Sequence, residues 1–114
     1  MIYAIRAKET NYIKFGKAIN PARRLATMQC GSPLELVLEA TVDWPDKEEM
    51  DIHVFLTVKG DHHMGEWFKE SANTAAIIGA MRSRVHWRDV IRKLAPTRLR
   101  HHLQIANGPT TGND

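Results

Sequence analysis

Two short runs rich in β-branched and aromatic residues, residues 2–6 (IYAIR) and 11–16 (NYIKFG), stand on either side of the polar segment AKET. That pattern predicts a β-hairpin with a somewhat long loop. Asn20 followed by Pro21 predicts a helix start, with a capping side chain and then proline at the first helical position. The helix should run through ARRLATM and stop before Gly31 and Pro33. Residues 34–42 (LELVLEATV) alternate well enough to form a third strand. Asp46 is placed to cap a second helix, with Glu48 and Glu49 in its first turn, where the helix dipole favours negative charge. This helix is expected to carry Met50, Val54 and Phe55 inward and to end near Gly60. Asp61 to Gly65 reads as a polar turn, after which GEWF returns the chain to the core.

Further on, Asn73 or Ser71 is placed to cap a helix through AAIIGAM, and HWRDVIRKL and TRLRHHLQIA follow as basic helical segments divided by Pro96. The order β-β-α-β-α-then-helices implies an α+β fold: a small three-stranded antiparallel-type sheet flanked by helices, with a basic helical C-terminal extension. A chain of 114 residues has room for one core. Residues 1–70 should form it, residues 71–106 the extension packed on the same domain, and residues 107–114 a disordered tail.

Net charge is only +3, but it is unevenly spread. Between positions 82 and 102 stand Arg82, Arg84, Arg88, Arg92, Lys93, Arg98 and Arg100, against the single acid Asp89. His86, His101 and His102 add positive charge at lower pH. Such a concentration attracts polyanions, because each cation near a phosphate releases condensed counterions; a solvated helix face is the plainer account. No stretch approaches the ~20 apolar residues that span a bilayer, so no membrane partner is expected. With Arg6 so near its start, the N-terminus does not read as a signal peptide. The lone Cys30 leaves no intramolecular disulfide, which suits a reducing cytoplasm.

Tyr3 lies in the first predicted strand and Gly16 ends the second. Eight residues past that glycine comes Arg24, on the first helix. Glu49 sits on the second helix, with His53 four residues later on the same face. These residues, in this order, resemble the GIY-YIG endonuclease superfamily. The first signature is present as Ile2-Tyr3 and the second as Ile13-Lys14-Phe15-Gly16. The arginine helix is present as Asn20-Pro21-Ala22-Arg23-Arg24-Leu25. The chain is most similar to a small branch found in phages and bacteria, in which a KxG motif and a terminal GEWF occur, here Lys14 to Gly16 and Gly65 to Phe68. The resemblance covers roughly residues 2–68.

The resemblance implies a metal-dependent endonuclease, with Tyr3 positioning or deprotonating the attacking water and Arg24 holding the scissile phosphate. It makes Glu49 the single metal-binding carboxylate, an arrangement suited to Mg²⁺, with Mn²⁺ as a substitute. Lys14 stands where the wider superfamily has tyrosine and would bind phosphate or act with a lowered pKa. Met28 stands four residues past Arg24, where several of these nucleases carry histidine. The same branch carries an E-x-x-x-H-x-x-F helix, here Glu49 to Leu56, in which Phe55 follows His53 by two residues, not three. His53 would orient Glu49 or a phosphate, or else pack as a core histidine. The expected partner is nucleic acid, double-stranded DNA first, held by Arg23, Lys17, Arg82, Arg84, Arg88, Arg92 and Lys93.

A rival reading keeps the scaffold and its phosphate affinity without turnover, as a binding module or phage accessory factor. A third is a protein–protein adaptor using Trp44, Trp87 and the apolar helix; a homodimer also stays open. Glu66 either approaches the site from GEWF or ties down a turn, and Trp67 and Phe68 belong to the core. His62-His63 reads as a surface turn, since adjacent side chains diverge and no cysteine completes a zinc set. Cys30, without an obvious base, reads as structural.

Overall fold

The computed structural model describes residues 1–94. The expected helix over TRLRHHLQIA and the expected disordered tail lie outside them. Strands β1 (Ile2–Ala7) and β2 (Tyr12–Lys17) form the hairpin, followed by helix α1 (Pro21–Cys30) and strand β3 (Leu36–Val42). Next come α2 (Lys47–Val58), β4 (His62–Met64), β5 (Trp67–Lys69), α3 (Ala72–Ser83) and α4 (Trp87–Leu94). The fold is α+β, and no helix among the described residues is long and apolar enough to cross a membrane.

The sheet has five strands, not three, in the order β3-β1-β2-β5-β4, and every neighbouring pair is antiparallel. The segment read as a polar turn and a return to the core is itself the β4–β5 hairpin, turned at Gly65 with φ +56°. Three-residue strands are too short to show a period of two, which is why the sequence pattern did not display them.

Side chains alternate across β1. Ile2 and Ala4 join a large core with Ile13, Phe15, Ile52, Leu56, Phe68 and α3, whereas Tyr3, Ile5 and Ala7 face the α1 side with Leu25 and Met28 packed on them. The third strand changes face part-way. Leu36 and Leu38 belong to the α1 side, whereas Ala40 and Val42 belong to the large core. A register shift where Ala4 pairs with Ala40 and Ile5 with Leu38 leaves Glu39 as the extra residue that makes the switch. Arg82 of α3 donates to the Glu39 carbonyl at 3.1 Å and to its carboxylate at 3.2 Å, satisfying the bulge.

Asn20 caps α1 as expected, accepting from the Arg23 amide, with Pro21 at the helix start. Gln29 then grips the next loop, donating to the Leu34 carbonyl and accepting from the Leu36 amide. Ser71, not Asn73, caps α3, in a capping box with Thr74. Asp46 departs from expectation: its backbone is already helical and its side chain makes no capping bond. Met50 and Val54 are exposed, whereas Phe55 packs against the core as expected, beside the fully buried Ile52 and Leu56. Both sides of this helix are apolar, so its composition did not distinguish them. Ile77, Ile78, Ala80 and Met81 of α3 share a core with Ile2 and Phe15.

Glu48, read as a first-turn charge only, is 6% exposed and ties α2 to α4. It accepts from the Trp87 indole at 2.9 Å and from Arg88 at 3.2 Å. Arg88 also donates to Asp51 at 2.7 Å and lies over the Trp87 ring. Trp87 is therefore buried, which removes it from the surface that a protein adaptor would need. Glu48→Ala leaves the indole N–H without its acceptor and is expected to cost about 2 kcal/mol, since a hydrogen bond to a charged group contributes roughly 1.5–3 kcal/mol. A lower denaturant midpoint at unchanged slope checks this.

Candidate functional site

Gly16 stands opposite Tyr3 in the β1–β2 register, on the face that looks toward α1. The Tyr3 ring lies across Gly16, where an added Cβ would fall on the phenol Oη and Cζ. The glycine of the second motif is thus required by close approach, not by a turn. Gly16→Ala must push Tyr3 aside, and overpacking of this kind typically costs about 1–3 kcal/mol. The expected result is a destabilised protein with a displaced tyrosine, read from the denaturant midpoint together with the Tyr3 ring resonances.

Lys14 projects from β2 on the same face as Gly16, since Ile13 and Phe15 point the other way. Its side chain is 12% exposed, and its ammonium donates to Glu66 at 2.6 Å. Glu66 immediately precedes β5. Burial pushes the Glu66 carboxyl up, but the hydrogen bond and charge of Lys14, reinforced by the charges of His53 and Arg24, hold it below the ordinary value. Groups from β2, α2 and α1 therefore act on one carboxylate.

A gap in the sheet allows this convergence. β5 pairs only with Tyr12, Ile13 and Lys14, so from Phe15 onward the edge of β2 away from β1 has no strand beside it. His53 of α2 fills the first free position, its Nε2 donating to the Phe15 carbonyl at 2.6 Å. Its ring also packs on Phe68, with centroids 5.1 Å apart. His53 is thus anchored to the sheet edge, with Nδ1 outside that bond. Glu49 lies one turn earlier on the same side of α2, partly buried, and makes no ion pair or side-chain hydrogen bond with the described residues. A lone uncommitted carboxylate fits a Mg²⁺ ion that takes its other ligands from water and phosphate. No three His, Cys, Asp or Glu side chains gather into a fuller metal set among the described residues.

Arg23 and Arg24 are both exposed in the first turn of α1, and Lys17 is exposed at the end of β2. None of the three forms an ion pair with the described residues, and no acidic residue occupies that first turn. Of the two arginines, Arg24 is the one whose charge reaches Glu66. The C-terminal cations are placed differently. α3 and α4 pack on the sheet face opposite to α1, so Arg82, Arg84, Arg88, Arg92 and Lys93 do not extend the Arg24 surface. Three of them are also engaged: Arg82 with Glu39, Arg88 with Glu48 and Asp51, and Arg92 with Asp89. Arg84 ends α3 in the left-handed conformation, φ 56°, and Lys93 is exposed near the end of α4.

Sequence reasoning left Glu66 between two roles and omitted it from the site. The available signal was its place in GEWF; its lysine partner stands 52 positions earlier. The histidine pair is exposed, with His63 stacked on Tyr12 and His62 bonded to the Gly65 carbonyl, and Cys30 is exposed at the end of α1.

Comparison with known proteins gives no match to a family model, to a curated protein or to a solved structure.

Proposed function

We propose that the protein is a divalent-metal-dependent endonuclease of GIY-YIG type that hydrolyses phosphodiester bonds in nucleic acid, with double-stranded DNA as substrate. The observation that carries this reading is the Lys14–Glu66 ion pair beside the free edge of β2, where Tyr3 lies over Gly16 and His53 binds the Phe15 carbonyl. Arg24 holds the scissile phosphate through its permanent charge and fork of donors. Lys14 adds a second cation to the developing negative charge. Tyr3 orients the attacking water. Lys17 and Arg23 hold the flanking backbone. Glu49 is the residue that would hold Mg²⁺ or Mn²⁺, which when bound supplies charge relief at the leaving oxygen.

Two arginines in the first turn of a helix support the reading energetically. The helix dipole opposes cations there by roughly 0.3–1 kcal/mol each, a cost that an anion bound at this end removes. Two observations favour the second reading, binding without cleavage. Tyr3 is only 1% exposed, and Met28 packs on the apolar cluster where a histidine would serve proton transfer. Supercoiled plasmid incubated with the protein and Mg²⁺ separates the two. Conversion to open circles supports the nuclease; a salt-sensitive gel shift without nicking supports the binding module.

A further inference from the structure

From the geometry around β5 we infer that Glu66 is a positioning residue that holds the Lys14 ammonium in place for a substrate phosphate. The inference deepens the nuclease reading and rests on it. The Lys14–Glu66 bond of 2.6 Å is the shortest ion pair among the described residues, and it joins β2 to the residue that opens β5. A lysine stem has four rotatable bonds and no preferred aim, so an ammonium of use to a phosphate needs an anchor. One carboxylate oxygen takes one of its three N–H donors and leaves two for an incoming anion.

Glu66 also neutralises a largely buried cation. Without it, the Lys14 ammonium would have no ion-pair partner among the described residues before any phosphate arrived. Its side chain is 44% exposed, so changing it leaves the core untouched.

The experiment is a double-mutant cycle on plasmid nicking with Glu66→Gln, Lys14→Ala and the combination, with Glu66→Asp as the conservative variant. Each single change should lower the rate by on the order of 10²-fold, as misplacement of a positioned group does. The combination should be no worse than the poorer single variant, because both remove the same interaction. Glu66→Asp should restore part of the loss. Multiplying losses in the combination, or full activity in Glu66→Gln, would overturn the inference. A second readout needs no DNA: the Glu66 carboxyl carbon, followed by NMR, should titrate below the ordinary carboxylate range. In Lys14→Ala it should move upward, because burial remains while the main partner is lost. An unchanged titration overturns the pairing. A wild-type protein that never nicks overturns the nuclease reading instead, and leaves the Glu66 titration to decide the tie.

Discussion

Arg24→Ala is expected to lower plasmid nicking by on the order of 10³-fold, the scale seen when a cation or donor aimed at transition-state charge is removed. The fold should not suffer. Arg24 is exposed, forms no ion pair with the described residues, and sits where the helix dipole disfavours a cation. Alanine is also the best helix former. The variant should therefore be as stable as the wild type, or more stable by a few tenths of a kcal/mol. Loss of activity with gain of stability separates a functional arginine from a structural one. Arg23→Ala supplies the contrast, since the proposed reading gives the scissile phosphate to Arg24. It should weaken DNA binding at low salt and reduce nicking less than tenfold. Equal losses from both arginines would mean that neither is aimed at the reacting phosphate.

Glu49→Ala is the second large effect, and it acts by a different route. The carboxylate makes no ion pair or side-chain hydrogen bond with the described residues; the core contacts of α2 come from Ile52, Phe55 and Leu56, and Glu48 supplies its tie to Trp87. Its removal should change stability by less than about 0.5 kcal/mol, as for surface substitutions away from special features. Nicking should fall below detection at every Mg²⁺ concentration, while DNA is still held by Lys17, Arg23 and Arg24. Glu48→Ala is the matched control: it should weaken the fold and leave nicking by the folded fraction intact. These neighbouring glutamates thus predict opposite phenotypes, one losing chemistry and the other losing stability.

The hairpin and the Asn20-Pro21 helix start were legible because each follows from a local period or a local cap. The other features depend on residues far apart in the chain. Glu48 looked like a dipole charge because its indole and guanidinium partners stand 39 and 40 positions later. The bulge at Glu39 moves Leu36 and Leu38 to one face and Ala40 and Val42 to the other, and no count of alternation along β3 alone shows it. The basic run after residue 82 looked like one phosphate-binding surface. Its charge was real, but among the described residues folding sends Arg82 to Lys93 to the far side of the sheet and engages Arg82, Arg88 and Arg92 with carboxylates. Charge density in a sequence does not reveal which cations the fold has already neutralised. The site itself was half legible. Tyr3, Lys14, Arg24 and His53 were named from a resemblance in order and spacing, whereas the carboxylate that pairs with Lys14 was visible only once β5 had been placed beside β2.

The most direct test of the central claim is a nicking assay on supercoiled plasmid with wild-type protein and Glu49→Ala, each in Mg²⁺, Mn²⁺ and EDTA. The account predicts open circles from the wild type in either metal, none in EDTA and none from the variant. Nicking that persists in EDTA, or a folded Glu49→Ala protein that cuts as well as the wild type, would contradict it.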